Sequence, residues 1–260
     1  MDHFDASWLP ASSRQTIAGV TVPALVEAIH RHNLTPRISH DLRTVADIQR
    51  RNANRMRLFQ PFNPEYQDYD PSNAVVITME RDGEPVACAG TRLFWIEDTL
   101  GEAFQSLRFF YRDVPTMASQ DETVVCTAPS AWSIADCSVA LTGAAFVQQG
   151  ESSDVVRAMM RLLHLWVAVH WRWSWIVGLA EKAQVRAYAN DVYGFPMAET
   201  GIARFGRWYW LLLAPRSFYR GVIVDRSYAD LSQPLCLPTD AAIRAAGARS
   251  PIFRLGGAAE

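Results

Sequence analysis

Few side chains in this sequence combine the type and the spacing that chemistry needs. Asp136 stands in Ala135-Asp136-Cys137-Ser138-Val139-Ala140, a polar residue in a run that otherwise reads as strand. A carboxylate in such a place must be paired or face a cleft, which makes Asp136 the candidate general base. His30-Arg31-His32, with His40, would suit a metal if the segment were a strand, where residues two apart share a face. It reads as helix, so the rings diverge, and no carboxylate follows at ligand spacing; no metal is expected. Of the 25 basic residues only Lys182 is a lysine, so it alone could be a lysine nucleophile. Gly-x-Ser-x-Gly is absent, as is Gly-x-x-x-x-Gly-Lys-Ser/Thr, which removes the nucleophile elbow and the nucleotide loop of those enzyme classes. Cys88, Cys126, Cys137 and Cys236 form no Cys-x-x-Cys and read as free thiols.

The composition narrows the class further. Of 260 residues, 49% are hydrophobic and 20% charged, a globular balance. The net charge of −2 gives no footprint for nucleic acid. The most apolar stretch, residues 159–180, is interrupted by Arg161, His164, His170 and Arg172, so it reads as core and not as a membrane span. The N-terminus lacks the basic start and apolar stretch of a signal peptide, and the expectation is a soluble cytoplasmic protein.

These residues need a scaffold, and the sequence punctuates one. The first 70 residues read as helical with loops. Residues 22–32 form a short helix with Pro23 in its first turn. A second helix runs from the Ser39-His40-Asp41 cap to about Phe59, with Arg43, Arg50, Arg51 and Arg57 on its solvated face. Three prolines make 61–71 an ordered loop. Residues 74–80 and 85–94 are strands joined at Asp82-Gly83, a hairpin signal. Trp132 to Val147 reads as strand, with a bulge near Gly143 if it is one strand. Gly150 to Asp154 is a turn and N-cap, and a helix from Val155 to about Trp171 follows. A buried strand covers 174–180, a helix runs from about Lys182 to Val192, and a last hairpin turns at Gly206-Arg207. Alternation at Trp171, Trp173 and Trp175 puts them on one face, read first as core or as a dimer contact, and Trp208 and Trp210 also read as packing.

Three segments carry a resemblance in their order. Residues 75–90 contain the hairpin; Tyr188-Ala189-Asn190-Asp191-Val192-Tyr193-Gly194-Phe195 is a helix ending in Gly-Phe; residues 203–213 close as a hairpin. Over residues 37–215 the chain resembles the Gcn5-related N-acetyltransferase superfamily. The resemblance implies an α/β (α+β) fold with a mixed, mostly antiparallel central sheet flanked by helices. It divides the chain into a lead (1–36), an acyltransferase domain (37–215) and an extension (216–260).

It also implies a site. In that superfamily acetyl- or acyl-coenzyme A lies in a split between two parallel strands, with its pyrophosphate on backbone amides at a helix N-terminus. Carried onto this sequence, the turn is Val147, Gln148, Gln149, Gly150, Ser152 and Ser153, with Asn190 on the facing helix. The superfamily's Arg/Gln-x-x-Gly-x-Gly/Ala is not restored in either register: Glu151 and Ser153, or Val155 and Arg157, fall on the glycine positions. Asp136 would be the base, and Tyr188 or Tyr193 the acid. The implied reaction moves an acyl group from acyl-coenzyme A, or an acyl carrier protein, to an amine of a small molecule, in a monomer or a homodimer. The alternative is a protein of this fold that has lost coenzyme A binding and serves as a ligand- or partner-binding protein, or hosts another chemistry in the same cleft.

Overall fold

The computed structural model describes residues 15–52, 59–182, 185, 192–222, 228, 230 and 231. Its strands are β1 (Thr35–Ser39), β2 (Ala74–Arg81), β3 (Glu84–Thr99), β4 (Val124–Cys126), β5 (Ala135–Val147), β6 (Trp175–Glu181), β7 (Met197–Arg204) and β8 (Arg207–Pro215). The helices are α1 (Val22–His30), α2 (Arg43–Arg51), α3 (Leu100–Gln105), α4 (Val114–Met117), α5 (Pro129–Ser133), α6 (Ser153–His170) and α7 (Arg216–Val222). One eight-stranded sheet runs in the order β1-β2-β3-β5-β6-β8-β7-β4. Every neighbouring pair is antiparallel except β5 and β6. A parallel pair needs a crossover, and α6 supplies it. The expected mixed, mostly antiparallel sheet flanked by helices is therefore present.

Period-2 alternation sends side chains to opposite faces, and each face carries its own core. Val75, Ile77, Ala89, Ala140, Ile176 and Leu212 meet α1 and α6 on one side. Val76, Val139, Leu141, Val177, Leu211 and Leu213 meet Phe62, Phe104, Phe109 and Phe110 on the other. Helix α6 is buried on nearly every side, from Val155 to Val169. Pro23 sits in the first turn of α1 as expected. Asp82 (φ 53°) and Gly83 (φ 83°) make the hairpin turn with both residues left-handed, the geometry that matches strand twist. The bulge near Gly143 is real: Gly90 faces Gly143 but Cys88 faces Phe146, so β5 carries one extra residue there.

Several expectations are corrected. The first 70 residues are not wholly helical, because residues 35–39 pair with β2 as an edge strand. The second helix stops at Arg51, where Asn52 turns back to bond the Ile48 carbonyl, and Phe59 is extended. Trp132 belongs to α5 and not to the strand. The last hairpin turns at Phe205-Gly206, one residue early, again with both residues at positive φ. Trp171 and Trp173 join the α6-side core while Trp175 packs on the opposite side, and Trp208 is 60% exposed. Among the described residues of 1–36 and 216–260, Ile17, Leu25, Ile29, Phe218, Tyr219 and Tyr228 sit in the same core as α6. No described helix is long and apolar enough to cross a membrane.

Candidate functional site

The parallel pair is short. Val139, Ala140 and Leu141 face Trp175, Ile176 and Val177, and the strands then part. From Thr142 onward β5 bonds only β3, and from Gly178 onward β6 bonds only β8. Between the two runs lies a split, where the facing main-chain edges of β5 and β6 make no ladder bonds to each other. The bulge at Ala144 (φ 51°) kinks the β5 edge of this split.

At the wide end, β5 runs into the turn 148–152 and the N-terminus of α6. Val147 is the last strand residue, opposite Ala87, and the Gln148 amide bonds the Val86 carbonyl at 2.8 Å. Ser152 caps the helix by accepting the Asp154 amide at 3.1 Å. The amides of Gln149, Gly150, Ser152 and Ser153 meet no protein acceptor among the described residues. An 18-residue helix thus presents unpaired N–H groups and the positive end of its dipole to solvent.

Glu151, which repels phosphate on charge alone, is held in an ion pair. Arg81 of β2 grips it with two bonds, Nη1 to Oε1 at 2.7 Å and Nη2 to Oε2 at 3.1 Å. The bond to Glu151 in turn raises the Arg81 guanidinium above its ordinary value. Asp154 is held by Arg157 at 2.6 Å, and Arg157 also reaches the Leu231 carbonyl at 2.8 Å. Val155 is fully buried in the core.

The structure brings the turn residues Val147, Gln148, Gln149, Gly150, Ser152 and Ser153 together. It does not bring Asp136 to them. Asp136 is exposed, at φ 44°, at the opposite end of β5, about 20 Å along the strand from Thr142 at ~3.3 Å per residue. Tyr193 is half-buried against the α6-side core, directly before Gly194. Tyr188 and Asn190 lie outside the described residues. Sequence reasoning missed Arg81, whose role depends on a partner 70 positions away, and Gly178 and Phe195, which meet at the narrow end of the split. Only Phe195 had left a signal, the Gly-Phe dipeptide.

Among the described residues no group of three or more His, Cys, Asp or Glu side chains could hold a metal ion. Two buried ionic features flank the site without entering it. Arg204 binds Glu122 (Nη2 to Oε1, 2.6 Å), Gln60 and Tyr111, and stacks on Phe110 at 3.9 Å. Arg92 bonds the Pro61 and Asp68 carbonyls, and burial lowers its guanidinium to about 10. It thereby pins the loop that carries Phe62 over Gly90 and Gly143.

Comparison with known proteins adds little. No family model matches the chain, and no curated protein matches it. Among solved structures, the crystal structure of aminoglycoside N-acetyltransferase AAC(6')-Ib11 is similar at 16% identity and a TM-score of 0.31, covering 69% of this chain and 95% of that one. The chain's own topology defines its class: a mixed α/β protein with one splayed parallel strand pair.

Proposed function

We propose that this chain is an acyltransferase of the Gcn5-related type, moving an acyl group from an acyl-coenzyme A thioester to an amine of a small molecule. One arrangement carries the reading: a split between β5 and β6 that leads to a turn with four unpaired amides at the N-terminus of α6. A diphosphate suits those amides and the helix dipole. An extended arm bearing amide groups suits the open strand edges, since it pairs as a strand would. Both carboxylates whose charge opposes phosphate at this turn are paired, Glu151 with Arg81 and Asp154 with Arg157.

In the proposed transfer the amine nitrogen attacks the thioester carbonyl. The C–N bond forms, the C–S bond breaks, and the departing sulfur takes up a proton in place of the one the amine loses. Tyr193, beside Gly194, is the described phenol retained as proton donor. Asp136, at the far end of β5, is not retained as base. The test is a thermal-shift titration against free coenzyme A, acetyl-coenzyme A and a long-chain acyl-coenzyme A. A ligand at about 100 times its dissociation constant adds roughly 2.7 kcal/mol, a shift of degrees. A rise with all three supports the reading. No rise with any of them overturns it and favours the ligand- or partner-binding alternative.

A further inference from the structure

Where β5 and β6 part, the ring of Phe195 lies on the α6 side of the split. A Cβ added to Gly178 would meet Phe195 Cζ and the Thr142 carbonyl oxygen, both at 3.3 Å, so this ring and this carbonyl converge on the fork. Thr142 is fixed from β3 by a buried hydroxyl pair with Thr91 at 2.9 Å. Phe195 itself is only 2% exposed, yet it follows Gly194, a residue at φ 72° with no side chain of its own to anchor it.

The anchor comes from the C-terminal helix. The Tyr219 hydroxyl donates to the Gly194 carbonyl at 3.1 Å and lies 2.7 Å from His164 Nδ1. With that proton given to Gly194, the imidazole donates Nδ1–H to Tyr219, and its Nε2 is left as a buried lone pair with no partner. The His164 ring meets Phe195 edge-on, with centroids 5.5 Å apart, and Tyr219 at 5.4 Å. Among the described residues Tyr219 is thus the one polar tether of His164, and it is also a tether of the Gly-Phe corner. Farther along α6 the same C-terminal segment stays attached: Arg161 donates to the Tyr228 and Asp230 carbonyls, and Tyr228 donates back to the Arg161 carbonyl at 3.0 Å.

We infer that Tyr219 is a positioning residue: through His164 and the Gly194 carbonyl it holds Phe195 as the floor of the split, and so sets how the thioester arm of the acyl donor is seated. The inference rests on the split being the donor site. A floor acts on the arm that enters the split and not on the diphosphate at the turn, which gives it a distinct signature.

The experiment compares calorimetric affinities for coenzyme A and for 3′-phosphoadenosine 5′-diphosphate, which lacks the arm. Tyr219→Phe is expected to weaken coenzyme A about three- to tenfold, the scale of a displaced aromatic contact, and to leave the armless nucleotide unchanged. The double variant Tyr219→Phe/His164→Leu removes the buried hydroxyl together with the imidazole that Tyr219→Phe alone would strand. It is expected to regain stability without regaining affinity, which separates positioning from folding. Equal weakening of both nucleotides, or an unchanged affinity for coenzyme A, overturns the inference. If the wild-type protein binds neither nucleotide, the acyltransferase reading fails on its own. The tether is then judged by hydrogen exchange: Tyr219→Phe is expected to speed exchange at Phe195 and at 178–180, and unchanged exchange there overturns it.

Discussion

Lowering the pH from 7 to 5 should destabilise this protein through one residue. His164 is fully buried between Phe195 and Tyr219, and burial pushes its imidazole down to about 3. An unfolded histidine titrates near 6.5. Between those values the unfolded chain binds a proton that the folded chain refuses, so stability is complete above about pH 6.5 and falls as the pH drops toward 3. Linkage with these two values gives a loss of about 2 kcal/mol between pH 7 and pH 5. Most carboxylates are still ionised in that window and contribute little. The assay is urea unfolding at both pH values for the wild type and for His164→Leu, in which Tyr219 keeps its bond to the Gly194 carbonyl. The wild-type midpoint should fall by about 1 M for an m-value near 2 kcal/mol/M, while the variant's should move much less. If both proteins lose the same amount, His164 is not held neutral in the core, and the geometry drawn for it is wrong.

Other expected outcomes follow from the same structure. Arg81→Ala frees the Glu151 carboxylate beside the turn; coenzyme A affinity should drop severalfold, and Glu151→Gln in the same background should recover it, as read by calorimetry. The stability cost of Arg81→Ala should stay under about 1 kcal/mol, because the Arg81 end of the pair is partly exposed. Glu122→Ala leaves the buried Arg204 unpaired and should cost about 3–5 kcal/mol in urea unfolding. Gly201→Ala should cost at least 1–3 kcal/mol on the same assay: the residue sits at φ 133°, and a Cβ would lie 2.6 Å from the Ala128 nitrogen. Thr99→Ala breaks a complete capping box and should lower stability by about 1 kcal/mol.

What could be read in the sequence was local. Asp82-Gly83 announces its turn because both residues tolerate positive φ, and the apolar run after Ser152 announces α6. Strand β1 stayed hidden because its burial pattern does not alternate and Pro36 interrupts it. The short elements between Leu100 and Ser133 each span too few residues for a period to show. In the site, the turn was legible as small polar residues before a helix, whereas the neutralisation of Glu151 requires the fold to bring in Arg81. Asp136 illustrates a related limit. A polar residue among strand residues signals a cleft or an end, and only the pairing register says which.

The position of β8 bears on how the chain is made. This strand is the last of the sheet to be synthesised, yet it lies between β6 and β7, and β4 joins the sheet only through β7. As the polypeptide emerges from a ribosome, residues 74–147 can pair early, since β2, β3 and β5 need nothing that comes later. The three-residue β4 has no partner until residues 197–215 have left the exit tunnel. Helix α6 waits longer, because the carbonyls that satisfy Arg157 and Arg161 belong to residues 228–231. Half of the sheet is therefore assembled in one late step, and until residues 207–215 clear the exit tunnel the emerged part of the chain keeps an unpaired strand edge, the kind of surface that chaperones bind.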